Sequence, residues 1–187
     1  KLVTILGKHV PGWSSEGLGV RFGLSGTDAT TMAVRLARAV TGRDEVISSG
    51  YHGWADWSIS KTPPAWGIPS QIIQHNDADD GYWSEPLVKD FRFGELPETE
   101  QAACVILEHP IDPGFPEVTG YYRKLRDYCT STNTLLIMDE VVTGFRWAMG
   151  GAAEYYGIEP DIVCYGKSLG NGVPISCIVG RREYFDW

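Results

Sequence analysis

The chain has 187 residues, of which 43% are hydrophobic and 21% charged, proportions that fit a soluble globular protein and exclude a disordered or fibrous chain. Its 16 basic and 24 acidic residues give a net charge of −8, so we expect no binding to nucleic acid. No apolar run reaches the roughly 18 residues of a membrane helix, and the N-terminal residues make a poor signal peptide. We therefore expect no membrane association and a cytoplasmic location.

Four cysteines are scattered along the chain, and none forms the C-x-x-C pair typical of zinc sites. Because three of them lie in apolar runs, we predict free, buried thiols, which suit a reducing compartment. The four histidines are isolated from one another at spacings that do not suit metal ligation, so we predict no metal site.

Short apolar runs alternate with helical patterns along the chain. Near-continuous apolar runs are typical of strands that are buried on both faces of a parallel sheet. Six runs are predicted strands: Glu45–Ser48, Gln71–Gln74, Ala103–Leu107, Thr134–Met138, Ile162–Tyr165 and Ile175–Val179.

Two segments have apolar residues at helical spacing. The first is Gly26–Thr41, where Ser25 and Asp28 signal the start of a helix and Gly42 signals its end. The second is Thr119–Ser131. The alternation of strands and helices predicts an α/β fold, with a mostly parallel sheet flanked by helices. No Ser/Gly-rich linker divides the chain, which favours a single domain.

The first candidate functional motif is Ser25-Gly26-Thr27, at the start of the first predicted helix. Backbone N–H groups there have no helical partner, and the helix dipole favours an anion such as a phosphate. The motif is neither a Walker loop nor a G-x-G-x-x-G dinucleotide turn. An ordinary helix cap explains the same residues.

A pair of carboxylates, Asp139 and Glu140, ends the predicted strand Thr134–Met138. Ligands of open α/β sheets gather at the carboxyl ends of strands, where an acid can meet a cation or a protonated ring nitrogen. Adjacent strand residues point to opposite faces, so the two carboxylates are not expected to converge as in a glycosidase. A solvated strand end is the alternative.

Lys167 lies just after the predicted strand Ile162–Tyr165, with Gly166 before it and Gly170 after it. A tight glycine-rich backbone can hold an amine in a confined site, and a desolvated lysine is a nucleophile toward carbonyl groups. A lysine on a surface turn is the alternative.

The segment Gly50-Tyr51-His52-Gly53-Trp54 places aromatic residues between glycines, straight after a predicted strand. Such rings can stack on a flat ligand, although a packed loop gives the same pattern. A phosphate cradle, an acid for a ring nitrogen, an amine for an aldehyde and an aromatic stack together are what pyridoxal 5'-phosphate needs.

The order of these motifs resembles the class III aminotransferases, which are fold type I pyridoxal phosphate enzymes, and most of all the group of glutamate-1-semialdehyde 2,1-aminomutases. The resemblance extends from Val20 to Asp186. It is carried by Ser25-Gly26-Thr27-Asp28-Ala29, Gly50-Tyr51-His52-Gly53, Leu107-Glu108-His109-Pro110, Asp139-Glu140-Val141-Val142-Thr143-Gly144-Phe145-Arg146 and Gly166-Lys167-Ser168-Leu169-Gly170.

The resemblance implies two catalytic residues. Lys167 is expected to form a Schiff base with the cofactor and to carry protons during amino-group transfer. Asp139 is expected to pair with the ring nitrogen. The remaining residues that the resemblance implies for cofactor binding are Ser25, Gly26, Thr27, Tyr51, His52, Glu108 and Val141.

The chain also departs from the family pattern. Leu24 stands where relatives usually carry Asn, and His109-Pro110 departs from the usual continuation after Glu108. Because relatives are longer at both ends, the resemblance implies that residues 1–187 are the large cofactor-binding domain, with the family's small C-terminal domain absent.

Three functions follow as hypotheses. The first is an aminotransferase or aminomutase that acts on a small amino acid or amino-aldehyde, whose identity the sequence does not give. The second is a truncated domain that binds the cofactor or a partner without turnover. The third, a nucleotide-binding domain, is disfavoured by the phosphate loop. The resemblance and the many aromatic residues also predict a homodimer.

Overall fold

The computed structural model describes residues 1–59, 74–75, 83–84, 88–91, 93–109 and 118–186. The described helices are α1 (Leu2–His9), α2 (Gly26–Thr41), α3 (Asp56–Ile59), α4 (Val118–Ser131) and α5 (Ala152–Tyr156). The described strands are β1 (Leu18–Gly23), β2 (Val46–Ser49), β3 (Gln74–His75), β4 (Trp83–Ser84), β5 (Val88–Asp90), β6 (Cys104–Glu108), β7 (Leu135–Asp139), β8 (Ile162–Tyr165) and β9 (Ser176–Arg181).

Seven of these strands form one sheet in the order β1-β9-β8-β7-β6-β2-β5. Within this sheet, neighbouring strands pair in parallel in the series β5, β2, β6, β7 and β8. Strand β9 pairs antiparallel with both β8 and β1. The predicted α/β fold with a mostly parallel sheet is confirmed. The carboxyl ends of β2, β6, β7 and β8 therefore meet at one edge of the sheet.

Helix α2 begins and ends at the predicted residues. The side chain of Ser25 accepts the N–H of Asp28, and the carboxylate of Asp28 accepts the N–H of Ser25, which is a complete capping box. Gly42 ends the helix with a φ of 65°, in the left-handed region that glycine adopts without strain. The face that packs on the sheet consists of Ala29, Thr30, Ala33, Val34 and Ala37.

The side chains of β6 alternate between two apolar layers. Cys104 and Ile106 pack in the layer that contains α2, while Val105 and Leu107 pack in the layer that contains α4. A strand that is buried on both faces explains the continuous apolar run in the sequence. All four cysteines are free and buried, as predicted.

Several elements differ from their predicted bounds. Strands β2, β6 and β7 each run one residue later than predicted. Strand β9 begins one residue later and ends two residues later than predicted, and α4 begins at Val118 instead of Thr119. Six described elements were not predicted: the strands β1, β4 and β5 and the helices α1, α3 and α5. Residues 71–73 of the predicted strand Gln71–Gln74 lie outside the described residues, and Gln74 belongs to β3.

Within the described ranges, no helix combines the length and the apolar character needed to cross a membrane.

Candidate active site

A cavity of about 360 Å³ lies at the edge of the sheet where the carboxyl ends of the parallel strands meet. Eight of the nine predicted site residues line it, contributed by α2, by the ends of β6 and β7, and by the segments after β2, β7 and β8. They are Gly26, Thr27, Tyr51, His52, Glu108, Asp139, Val141 and Lys167. Ser25 is not among the lining residues, because its side chain caps α2.

The start of α2 forms one end of the cavity. The first intrahelical hydrogen bond runs from the N–H of Ala29 to the C=O of Ser25, so the N–H groups of Gly26 and Thr27 precede the helical ladder. A Cβ atom at position 26 would lie 2.9 Å from Cγ1 of Val141. Glycine at this position therefore lets Val141 pack directly against the start of the helix.

Asp139 and His52 form a buried pair in the cavity wall. Oδ2 of Asp139 lies 2.8 Å from Nδ1 of His52, and its Oδ1 accepts the N–H of Val141 at 3.1 Å. Nε2 of His52 lies 3.1 Å from the carbonyl oxygen of Ser49. Both ring nitrogens of His52 therefore have an oxygen atom within hydrogen-bond distance, which holds the imidazole in one orientation beside the carboxylate. The Asp139 carboxylate is thus held by the His52 ring through one oxygen and by the N–H of Val141 through the other.

Glu140 points away from Asp139, as the alternation along a strand predicts. Its carboxylate is fully buried and accepts the N–H groups of Ala152 and Ala153, at the start of α5, and the hydroxyl of Thr143. Burial raises the pKa of Glu140 to about 7, although these three hydrogen bonds oppose the rise. Glu140 therefore anchors the segment between β7 and α5 on the opposite face of the sheet.

Lys167 begins a short turn one residue beyond the end of β8, and its φ of 37° is unusual for a residue other than glycine. Its carbonyl accepts the N–H groups of Gly170 and Asn171, which hold the turn. Lys167 is exposed, whereas a desolvated amine was expected from the sequence.

Tyr51 and Glu108 lie together on the rim of the cavity. The N–H of Tyr51 donates to Oε2 of Glu108 at 3.0 Å, while the phenol ring itself is exposed. Burial raises the pKa of Glu108, and the nearby charge of Asp139 adds to the rise. Gly50, with a φ of 104°, allows the chain to turn against Glu108.

Three residues that line the cavity were not predicted as site residues: Thr30, Gly53 and Val142. Gly53 belongs to the motif Gly50–Trp54, and Val142 belongs to the motif Asp139–Arg146. Membership of these motifs was the sequence signal that could have identified both residues. Thr30 shares the buried stripe of α2 with Ala33 and Ala37, and a polar residue on such a stripe was the signal there.

A larger cavity of about 630 Å³ lies at the opposite edge of the sheet. Arginines in its wall already have acceptors: Arg126 pairs with Asp161 at 2.7 Å, and Arg43 donates to the carbonyl oxygens of Ala102 and Thr132. Helices α2 and α4 both end here, so positive side chains balance their carbonyl ends. This cavity is explained by structural ion pairing.

The sequence of residues 1–186 matches the family described as Aminotransferase class-III. The chain belongs to this family. Class III aminotransferases depend on pyridoxal phosphate, and the resemblance predicted from the motifs is confirmed.

Among curated class III relatives, the glutamate-1-semialdehyde 2,1-aminomutase of Methanothermobacter thermautotrophicus is 40% identical over 182 residues. That alignment covers 89% of this chain and 41% of the relative, so the chain spans less than half the length of this relative.

Solved transaminase structures share the fold of this class III chain. An omega-transaminase from Sphaerobacter thermophilus superposes with a TM-score of 0.73 at 27% identity, covering 98% of this chain and 44% of that one. The PLP internal aldimine form of the FumI protein from Sphingopyxis sp. MTA144 superposes with a TM-score of 0.75 at 27% identity, covering 99% and 44%. These neighbours place the fold in type I of the pyridoxal phosphate-dependent enzymes.

Proposed function

We propose that residues 1–187 form the large, pyridoxal phosphate-binding domain of an aminotransferase or aminomutase that acts on a small amino acid or amino-aldehyde. One observation carries the proposal: Lys167, Asp139 and the start of α2 come from distant parts of the chain and line one cavity. An amine, a carboxylate and free helix N–H groups match the aldehyde, the ring nitrogen and the phosphate of one flat cofactor.

The residues of the cavity fit the cofactor group by group. The N–H groups of Gly26 and Thr27 would bind the phosphate, and Asp139 would bind the ring nitrogen. Val141, which packs against the start of α2, would support one face of the ring, and Tyr51 on the rim would cover the other. The volume of about 360 Å³ lies in the range of small-molecule sites.

When bound, pyridoxal phosphate supplies an electron sink for the charge left on a substrate carbon that has lost a proton. Asp139 would keep the ring nitrogen protonated, because a carboxylate favours the charged form of a nearby base. His52 would hold that carboxylate in place through the 2.8 Å contact. The amine of Lys167 would bind the aldehyde and carry the proton to and from the substrate carbon.

Glu108 would support the side of the cavity next to the ring hydroxyl. Its carboxylate accepts the backbone N–H of Tyr51 and would therefore fix the position of Tyr51 at the rim of the cavity. Ser25 would act indirectly, by capping the helix whose N–H groups face the phosphate.

The second candidate is a domain that binds the cofactor or a partner without turnover. The exposed position of Lys167 favours it, because a lysine that acts as a nucleophile is normally desolvated. Product formation from an amino donor separates the two candidates: turnover supports the first, and binding without turnover supports the second.

We further propose a homodimer and a cytoplasmic location. Among the described residues, six large apolar side chains are each at least 58% exposed: Phe22, Leu24, Tyr51, Trp54, Tyr155 and Val173. Apolar surface of this kind normally pairs with a partner. Light scattering at micromolar concentration tests the dimer, and a monomer would contradict it. Four free, buried thiols suit a reducing compartment.

The experiment that tests cofactor binding is a visible absorbance titration of the purified chain with pyridoxal phosphate. The wild-type chain is expected to develop a protein-bound absorbance band. The variant Lys167→Ala is expected to lose that band, whereas the matched control Lys124→Ala, on α4, is expected to keep it. No band in the wild type, or an equal band in Lys167→Ala, would contradict the proposal.

A further inference from the structure

We propose that Thr30 is a positioning residue that holds the phosphate end and the ring-nitrogen end of the cavity at a fixed separation. The inference rests on the proposed cofactor site. Thr30 is 1% exposed and lines the cavity, one turn into α2. It lies between the residues assigned to the phosphate and the His52–Asp139 pair.

The hydroxyl of Thr30 is directed at the segment after β2. It donates to the carbonyl oxygen of His52 at 2.7 Å, while the carbonyl oxygen of Thr27 lies farther away at 3.2 Å. The shorter contact is the better hydrogen bond and joins two elements that are 22 residues apart. The backbone that carries the imidazole is thus tied to the helix that carries Gly26 and Thr27.

The neighbouring residue, Thr31, makes a second tie to the same segment. Nε1 of Trp57 donates to the hydroxyl of Thr31 at 3.0 Å. The indole ring of Trp57 is stacked near the imidazole of His52, with 6.2 Å between ring centroids and 14° between planes. Two adjacent threonines of α2 therefore hold both the backbone and the ring side of His52.

Gly53 shows how closely the two elements approach. A Cβ atom at this position would lie 2.3 Å from Oγ1 of Thr27, and the φ of Gly53 is 97°. The segment and the start of α2 are thus packed without space for a methyl group. A hydrogen bond across so close a contact fixes the relative position of the two elements.

This arrangement has a consequence for ligands that touch both ends. Pyridoxal phosphate would contact the helix start and Asp139 at once, so its affinity depends on their separation. Pyridoxal, which lacks the phosphate, would contact the ring end alone. Loss of the Thr30 hydrogen bond is expected to weaken the binding of pyridoxal phosphate more than the binding of pyridoxal. Only pyridoxal phosphate needs both ends of the cavity at the correct separation.

The test compares Thr30→Val, which removes the hydroxyl at nearly constant shape, with Thr30→Ser, which keeps it. Thr30→Val is expected to weaken binding of pyridoxal phosphate about tenfold, equivalent to about 1.4 kcal/mol, and binding of pyridoxal less than threefold. Thr30→Ser is expected to stay within threefold of the wild type for both ligands. The matched control is Thr41→Val. It removes a hydroxyl at the far end of α2 that donates to the carbonyl oxygen of Ala37.

A second measurement needs no cofactor. The ring N–H signal of His52, assigned by its loss in His52→Phe, is expected to shift or broaden in Thr30→Val and to be unchanged in Thr30→Ser and Thr41→Val. If Thr30→Val does not fold, Thr31→Val replaces it. That variant removes the hydroxyl that accepts the Nε1–H of Trp57. It is expected to weaken the binding of pyridoxal phosphate about threefold and to shift the ring N–H signal of His52.

Wild-type affinity together with an unchanged His52 signal in Thr30→Val would overturn the inference. Equal losses of affinity for pyridoxal phosphate in Thr30→Ser and Thr30→Val would also overturn it, because the missing hydroxyl would then not be the cause of the weaker binding. Failure of the wild-type chain to bind pyridoxal phosphate would instead contradict the proposed function, and the His52 signal would still decide the role of Thr30.

Discussion

Replacement of His109 by Phe is expected to remove an acid-induced loss of stability of about 3 kcal/mol. His109 is fully buried, and its ring lies 4.7–5.8 Å, between centroids, from those of Phe93, Tyr122, Trp147 and Tyr156. Among the described residues, no carboxylate lies within hydrogen-bond distance of the ring; its Nδ1 bonds to the hydroxyl of Tyr122. The apolar surroundings therefore disfavour the charged imidazole.

Burial lowers the pKa of His109 from 6.5 to about 4. In the unfolded chain the imidazole takes up a proton below pH 6.5, whereas in the folded chain it does so only near pH 4. Stability is therefore complete above pH 6.5 and is lost as the pH falls toward 4. Each unit of pKa difference is worth about 1.4 kcal/mol, which gives about 3 kcal/mol in all.

The assay is urea unfolding of the wild type and of His109→Phe at several pH values between 7 and 4. The difference in the free energy of unfolding between the two proteins is expected to change by about 3 kcal/mol over this range, against the wild type in acid. Tyr122→Phe is the matched control, since it removes the same hydrogen bond but keeps the imidazole. A difference that does not vary with pH would refute the reasoning.

Three further predictions concern the cavity and its supports. The wild type is expected to lose about 3 kcal/mol of its free energy of unfolding as the pH rises from 4.5 to about 7, because the folded protein keeps the Glu140 carboxyl protonated to a higher pH than the unfolded chain does. Glu140→Gln is expected to abolish this loss, which urea unfolding at several pH values measures. His52→Phe is expected to lower the free energy of unfolding by about 3 kcal/mol by leaving the buried Asp139 carboxylate without its hydrogen-bond partner. A coupling energy near zero with Asp139→Asn, in a double-mutant cycle, would contradict this. Gly53→Ala is expected to cost about 1–3 kcal/mol and to weaken pyridoxal phosphate binding in an absorbance titration, because its Cβ would meet Thr27.

The elements that local signals define were predictable from the sequence. Helix α2 has a capping box at Ser25 and a glycine stop at Gly42, and both act within a few residues. Strand β8 was predicted at its observed bounds, because a continuous apolar run needs burial on both faces.

Strand β1 could not be predicted in the same way. It contains two glycines and an arginine, and its six residues pair with β9, more than 150 residues later in the chain. Its extended conformation depends on this distant antiparallel partner. Local propensity gives little information in such a case.

The candidate site was predictable in composition but not in its internal contacts. The carboxyl ends of parallel strands meet at one edge, so the approach of Asp139 to the segment after β8 follows from strand order. The contacts of His52 with Asp139, and of Thr30 with the His52 backbone, depend on how a loop packs on a helix. The exposure of Lys167 likewise depends on the direction of a turn, which strand order leaves open.

The central claim is that Lys167 binds the aldehyde of pyridoxal phosphate in this cavity. Borohydride reduction of the chain mixed with pyridoxal phosphate, followed by peptide mapping, tests it most directly. The pyridoxyl group is predicted on Lys167 and not on Lys8, Lys61, Lys89 or Lys124. Label spread evenly over the other lysines, with Lys167 unmodified, would contradict the account.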